Sequence, residues 1–100
     1  MMMTDQELQD TLQTLPGERV TTDYIATRIA DTEYSNLPKS TVTICNITLD
    51  NGFSVRGESA CVDPANFNEE IGRKIAYDNA FAKLWPMFGF LLAEKRHQTA

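Results

Sequence analysis

The sequence predicts an α+β fold in the order α-α-β-β-α: two short N-terminal helices, one β-hairpin and one long C-terminal helix kinked at a proline. Three observations predict it. Two runs rich in β-branched residues, Thr41–Asp50 and Phe53–Ser59, flank the turn-forming Asp50-Asn51-Gly52. A helical pattern of apolar residues runs from Phe67 to about Lys95, interrupted by Pro86. Upstream of the hairpin, two capping patterns introduce shorter apolar stripes. The 100 residues allow a single small domain over 1–100, with 1–18 and 96–100 expected to be loosely ordered.

Thr4-Asp5-Gln6-Glu7 is a capping box, in which the Thr4 hydroxyl accepts a free backbone N–H and Glu7 reaches back. Leu8, Leu12 and Leu15 follow at helical spacing, and Pro16-Gly17 stops the run. The second helix is expected to begin at Thr21 or Thr22, with Val20 closing over Ile25 as a hydrophobic staple. Ile25, Ala26 and Ile29 form its apolar stripe. It is expected to end by Glu33, because Tyr34-Ser35-Asn36-Leu37-Pro38 reads as a loop.

The hairpin register follows from its faces. A two-residue Asn51-Gly52 turn would pair Leu49 with Ser54 and Ile47 with Arg56, mixing apolar with polar on one side. A three-residue loop pairs Leu49 with Phe53, Ile47 with Val55 and Cys45 with Gly57. Its other face carries Thr48 with Ser54, Asn46 with Arg56 and Ile44 with Glu58. That loop needs a residue tolerant of positive φ at its end, and Gly52 supplies it. Gly57 is read as leaving room opposite Cys45.

For the third helix, Asn66 with Glu69 forms a capping pair that predicts a start at Phe67. Asp63 before Pro64 offers an earlier isolated turn. Pro86 removes a backbone donor and crowds the carbonyl of Ala82, so a kink is expected there. Phe67, Ile71 and Ile75 lie on one side, and Phe67 and Ile71 are expected to pack. Phe81, Leu84, Trp85, Phe88, Leu91 and Leu92 form a second stripe turned away from the first, with Trp85 read as core. Met87 and Phe90 fall outside both. Gly72, Ala76 and Ala80 form a row at i, i+4, i+8 that admits the close approach of another backbone. The candidate protein interface is therefore Gly72, Ala76, Ala80, Met87 and Phe90, facing a second copy or a host or phage protein.

Charge excludes several functions. The net charge is -5, all of it before Lys39: seven acids meet two bases up to Pro38, and seven meet seven afterwards. This argues against a nucleic-acid footprint, which needs a basic patch. Arg56, Arg73 and Lys74 are a weak one, read as a salt-bridged face with Glu58 and Glu70. Leu84–Ala93, an apolar stretch without a charge, is ten residues, half of the roughly 20 a membrane span needs. Met1-Met2-Met3 runs straight into Thr4-Asp5-Gln6-Glu7, so no signal peptide is expected. Cys45 and Cys61 are expected to remain free thiols in a reducing cytoplasm.

No catalytic constellation stands out. His97 lies near the C-terminal end, a whole helix from Cys61 in sequence, and the cysteines lack zinc spacing. Glu58, Asp63, Glu69 and Glu70 are read as helix-capping carboxylates rather than a cation site. There is no Gly-rich phosphate loop, GxSxG elbow or P-loop. No enzyme activity, cofactor or metal is expected.

The run from Ile47 through Asp50-Asn51-Gly52-Phe53-Ser54-Val55-Arg56-Gly57 to Cys61-Val62-Asp63-Pro64-Ala65-Asn66-Phe67 closely resembles the Gp49-like family of small phage proteins (phage N4 gene 49 and phage Sf6 gene 66). Ile71-Gly72-Arg73-Lys74-Ile75-Ala76, Lys83-Leu84-Trp85-Pro86 and Gly89-Phe90-Leu91-Leu92 are similar to its closing helix, and Arg19-Val20-Thr21 to the start of its second. The likeness covers Arg19 to Ala93. Asn51, Gly52, Gly57, Asp63, Asn66, Phe67 and Trp85 are structural members of this motif. Met87-Phe88 departs from it, standing where a leucine and an acid are expected, which makes the helix more apolar. The resemblance implies a phage or prophage origin and a host-cytoplasmic setting, and it brings no activity. The expected role is a non-enzymatic accessory protein that binds protein and self-associates. The alternatives are a nucleic-acid-associated regulator or a binder of a nucleotide-like small ligand.

Overall fold

Backbone capping fixes where the N-terminal helices start. A computed structural model describes residues 2–100. Helix α1 spans Asp5–Thr14. The Glu7 N–H donates to Thr4 Oγ1 at 3.1 Å, and the Thr4 hydroxyl donates to Glu7 Oε1 at 3.0 Å. Helix α2 spans Thr22–Thr27, with the Tyr24 N–H donating to Thr21 Oγ1 at 3.0 Å. Ile25 is buried in the core, and Val20 packs, partly buried, against the same cluster.

The second helix is shorter than its apolar stripe implied. It ends at Thr27, and the chain continues as strand β1, Ile29–Asn36, where the sequence predicted helix and then loop. Spacing was the source of the error: Ile25 and Ile29 are i, i+4, but Ile29 is already strand. A bulge between Ile29 and Asp31 then shifts the alternation along β1 by one residue. The fold is thus α+β with a three-stranded antiparallel sheet in the order β1-β2-β3, rather than a two-stranded hairpin.

Strands β2, Thr43–Leu49, and β3, Ser54–Ser59, form the predicted hairpin. Ile47 pairs with Val55, Cys45 with Gly57, Asn46 with Arg56 and Thr48 with Ser54. The loop is the three-residue form: the Leu49 N–H donates to the Phe53 carbonyl at 2.8 Å, and the Gly52 N–H to the Leu49 carbonyl at 2.9 Å. Gly52 has φ +90°, which an L side chain rarely adopts.

The closing helix is two helices. Asp63 caps a 3-10 turn over Pro64–Asn66, accepting the Ala65 N–H at 2.9 Å. Asn68, not Asn66, caps α3, accepting the Ile71 N–H at 3.1 Å, so α3 runs Glu69–Ala82 instead of starting at Phe67. The bend comes at Lys83, and α4 runs Leu84–Thr99. Pro86 explains the position. It has no N–H for the Ala82 carbonyl, so the helix breaks upstream and the proline falls in the first turn of α4, where that donor has no partner anyway.

One face of β2 is fully covered. Thr43, Cys45, Ile47 and Leu49 are buried beneath α3, joined by Val55, Ala76, Ala80, Leu84, Phe88 and Ile25. The contact is unusually close because glycine meets alanine. A Cβ on Gly57 would lie 2.2 Å from the Ala80 nitrogen and 2.5 Å from the Ala76 oxygen. The small-residue row therefore faces the chain's own sheet. The fold is thin and drawn out, 53 × 40 × 17 Å with a radius of gyration of 16.9 Å, against roughly 13 Å for a close-packed 100-residue domain.

Candidate functional site: an apolar groove between the hairpin tip and α4

Residues that carry chemistry are dispersed and locally paired. Cys45 is buried, and burial pushes its thiol up. Cys61 is half-buried, its Sγ donating to the Asp63 carbonyl at 3.1 Å. His97 lies in the last turn of α4. No group of three or more His, Cys, Asp or Glu is placed to hold a metal among the described residues. The bases do not gather. Arg56 bonds Asn46 and Ser54 on the outer sheet face, Arg73 pairs with Glu69 at 3.0 Å, and Lys74 with Asp78 at 2.7 Å. The predicted partners Glu58 and Glu70 are replaced by acids four residues away along α3, the geometry a helix favours.

The proposed interface residues separate into two groups. Ala76 and Ala80 are fully buried against β3, and a Cβ on Gly72 would lie 2.8 Å from Thr43 Oγ1. This corrects their reading as a surface for a partner: the backbone that approaches the row is that of Gly57. Gly57 itself makes room for α3 rather than for Cys45. Met87 and Phe90 lie elsewhere, on α4. Met87 leans on the core, while Phe90 is 67% exposed.

Around them is an open groove of about 460 Å³ lined by Asn51, Phe53, Pro86, Met87, Phe90 and Leu91. The hairpin loop forms one wall and the first two turns of α4 the other. Phe53 is 56% and Leu91 49% exposed. Arg28 holds the loop side in place. Its Nε donates to both carboxylate oxygens of Asp50 at 2.9 and 2.7 Å, and the Asp50 N–H returns a bond to the Arg28 carbonyl at 2.9 Å. The Arg28 hydrogen bond holds the Asp50 carboxyl below its usual range. The guanidinium also stands 5.7 Å from the Phe88 ring centre, linking the loop to α4.

Other aromatic residues are more exposed than expected. Trp85 is 39% exposed rather than core, edge-on to Phe81 at 6.2 Å, with Tyr77 continuing the series at 5.8 Å from Phe81. Phe67 and Ile71, expected to pack, are largely exposed, as is Ile75 on α3. The reason is that the thin sheet offers α3 one layer to cover, and Ala76 and Ala80 occupy it. Phe53, Leu91 and the Arg28–Asp50 clasp were absent from the predicted site. The hairpin register did place Phe53 on the apolar face opposite Leu49; the tip of a sheet has no helix above it to bury such a residue.

On the other side of α4, a cleft of about 350 Å³ runs between that helix and the segment leading into α2, with Arg19, Arg28 and Lys95 above Val20, Phe88 and Leu92. Glu18 lines the same cleft, 3.9 Å from Lys95. Among the described residues, no helix is long and apolar enough to cross a membrane.

A family model described as Phage protein (N4 Gp49/phage Sf6 gene 66) family matches residues 20–96. No curated protein and no solved structure matches.

Proposed function

Because the chain belongs to the N4 Gp49/phage Sf6 gene 66 family of phage proteins, we propose that it is a phage accessory protein that works by binding another protein through the α4 groove, without enzymatic chemistry. It acts in the host cytoplasm and self-associates. The observation that carries this reading is the composition of α4. From Leu84 to Ala93 every residue is uncharged, so the helix is apolar on all sides, yet only Leu84 and Phe88 are buried. A helix apolar all round is ordinarily enclosed on all sides. Aromatic side chains carry about 150–250 Å² each, so Phe53 and Phe90 alone leave on the order of 250 Å² of apolar surface uncovered. That lies close to the 300–600 Å² that marks an interaction site when it is contiguous.

The test compares tagged wild type with Phe53→Ser/Phe90→Ser, both side chains being more exposed than buried, during phage infection. Quantitative cross-linking is expected to trap proteins, including the chain itself, on the wild type and to lose them with the variant. Identical cross-link profiles for the two would refute a binding role for the groove.

A further inference from the structure

A second site lies across α4 from the groove and is independent of what the groove binds. We propose that the cleft between α4 and the segment entering α2 takes a small aliphatic carboxylate, its head against the bases and its chain along the apolar floor. At about 350 Å³ the cleft falls within the roughly 300–1,000 Å³ of small-molecule sites, which set a few polar groups over an apolar lining.

Charge selects the head. Arg19, Arg28 and Lys95 line the cleft together with one acid, Glu18. Counting Asp50 as the partner of Arg28, three bases face two acids, a local balance of +1 in a chain of -5. Neither acid uses up these donors. Arg19 forms no ion pair among the described residues, and Glu18 stays 3.9 Å from Lys95, beyond hydrogen-bond range. Asp50 takes only the Nε–H of Arg28, at 2.7 and 2.9 Å, which holds the side chain in place. The terminal amino groups of that fork remain for a second carboxylate.

Shape selects the body. Val20, Leu91 and Leu92 give the cleft an aliphatic lining. The two rings beside them, Tyr24 and Phe88, meet at 88° with centres 6.0 Å apart, so they form no parallel slot for a nucleobase. The Arg28 guanidinium already stands over the Phe88 ring at 5.7 Å. A short alkyl chain fits what is left.

Calorimetric titration of the full chain with octanoate tests this, with acetate, octanol and AMP as probes of the head alone, the body alone and a base-bearing phosphate. Octanoate is expected to bind with Kd below about 1 mM, roughly tenfold or more tighter than the other three. No binding in that range, or AMP binding as tightly, overturns the proposal. Arg19→Ala/Lys95→Ala, two exposed side chains, is expected to weaken octanoate roughly tenfold with unchanged circular dichroism. Glu18→Gln is expected to tighten it about two- to threefold. Unchanged affinity in both variants rejects the assigned head site. Amide shifts centred on Val20, Tyr24 and Leu92 during the titration support the cleft, whereas shifts centred on Phe53 and Phe90 place octanoate in the groove and refute it.

Discussion

Replacing Gly57 by alanine tests the closest contact in the fold. The added Cβ would stand 2.2 Å from the Ala80 nitrogen, 2.5 Å from the Ala76 oxygen and 2.8 Å from the Ala80 Cα. All three are backbone atoms of α3, so no rotamer change relieves the clash. Ordinary contact begins near 3.5 Å, and α3 must retreat by roughly 1 Å. Overpacking alone costs about 1–3 kcal/mol. A gap of that size also forfeits a quarter to a half of the dispersion attraction along the helix, acting on Ala76, Ala80 and Leu84, which are fully buried. About 3 kcal/mol is therefore expected, a large share of the roughly 5–15 kcal/mol that holds a domain together. In a domain of this size, that lowers Tm by roughly 12–24 °C. Urea titration and thermal melts followed by circular dichroism measure both quantities. The control is Gly89→Ala in α4, where a Cβ meets nothing within 4 Å and the helix gains about 0.5–1 kcal/mol. If Gly57→Ala stays within about 0.5 kcal/mol of wild type, or the two glycines respond alike, the packing described for α3 is wrong.

Three further outcomes are expected. Asn68→Ala loses about 1 kcal/mol because Asn68 caps α3, whereas Asn66→Ala stays within about 0.5 kcal/mol; urea midpoints distinguish them, and the reverse order would restore the cap to Asn66. Thr43→Val gains about 1 kcal/mol, because the Thr43 hydroxyl is fully buried with no hydrogen-bond partner among the described residues, so a clear loss in the same titration would reveal one. Asp50 is more acidic in the folded chain than unfolded, so its clasp with Arg28 contributes fully above the unfolded value near about pH 3.9 and fades as pH falls through the lower folded value. The stability gap between wild type and Asp50→Asn should thus shrink on acidification from pH 7 toward about pH 2. A gap that widens contradicts the sign.

What was legible in the sequence was local. The hairpin register followed from the three residues Asp50-Asn51-Gly52 and the alternation beside them, and every predicted pair between β2 and β3 forms. The caps at Thr4, Thr21 and Asp63 were read from short patterns. Strand β1 was not legible because its support is distant: Ile29 pairs with Leu49 and Tyr34 with Cys45. Its own residues are polar and turn-like, and a period-two signal in Thr32, Tyr34 and Asn36 is hidden by the bulge. The site was half legible. Gly72, Ala76 and Ala80 announced a close backbone approach without naming its partner, and Gly57 was read as making room for Cys45 across the hairpin rather than for α3. Met87 and Phe90 were identified by failing to fit either stripe. Phe53 could not be, since its exposure depends on how far α3 and α4 extend over the sheet.

The strand order has a kinetic consequence. Each strand lies beside its neighbour in the chain, joined by the six residues between Asn36 and Thr43 and the four between Leu49 and Ser54. Short closures of this kind lose little chain entropy, so the meander has a low topological barrier. Its apolar face, however, stays wet until α3 arrives with Ala76 and Ala80. The slow step of folding is therefore expected at the meeting of Gly57 with α3, where the helix contributes backbone atoms of Ala76 and Ala80.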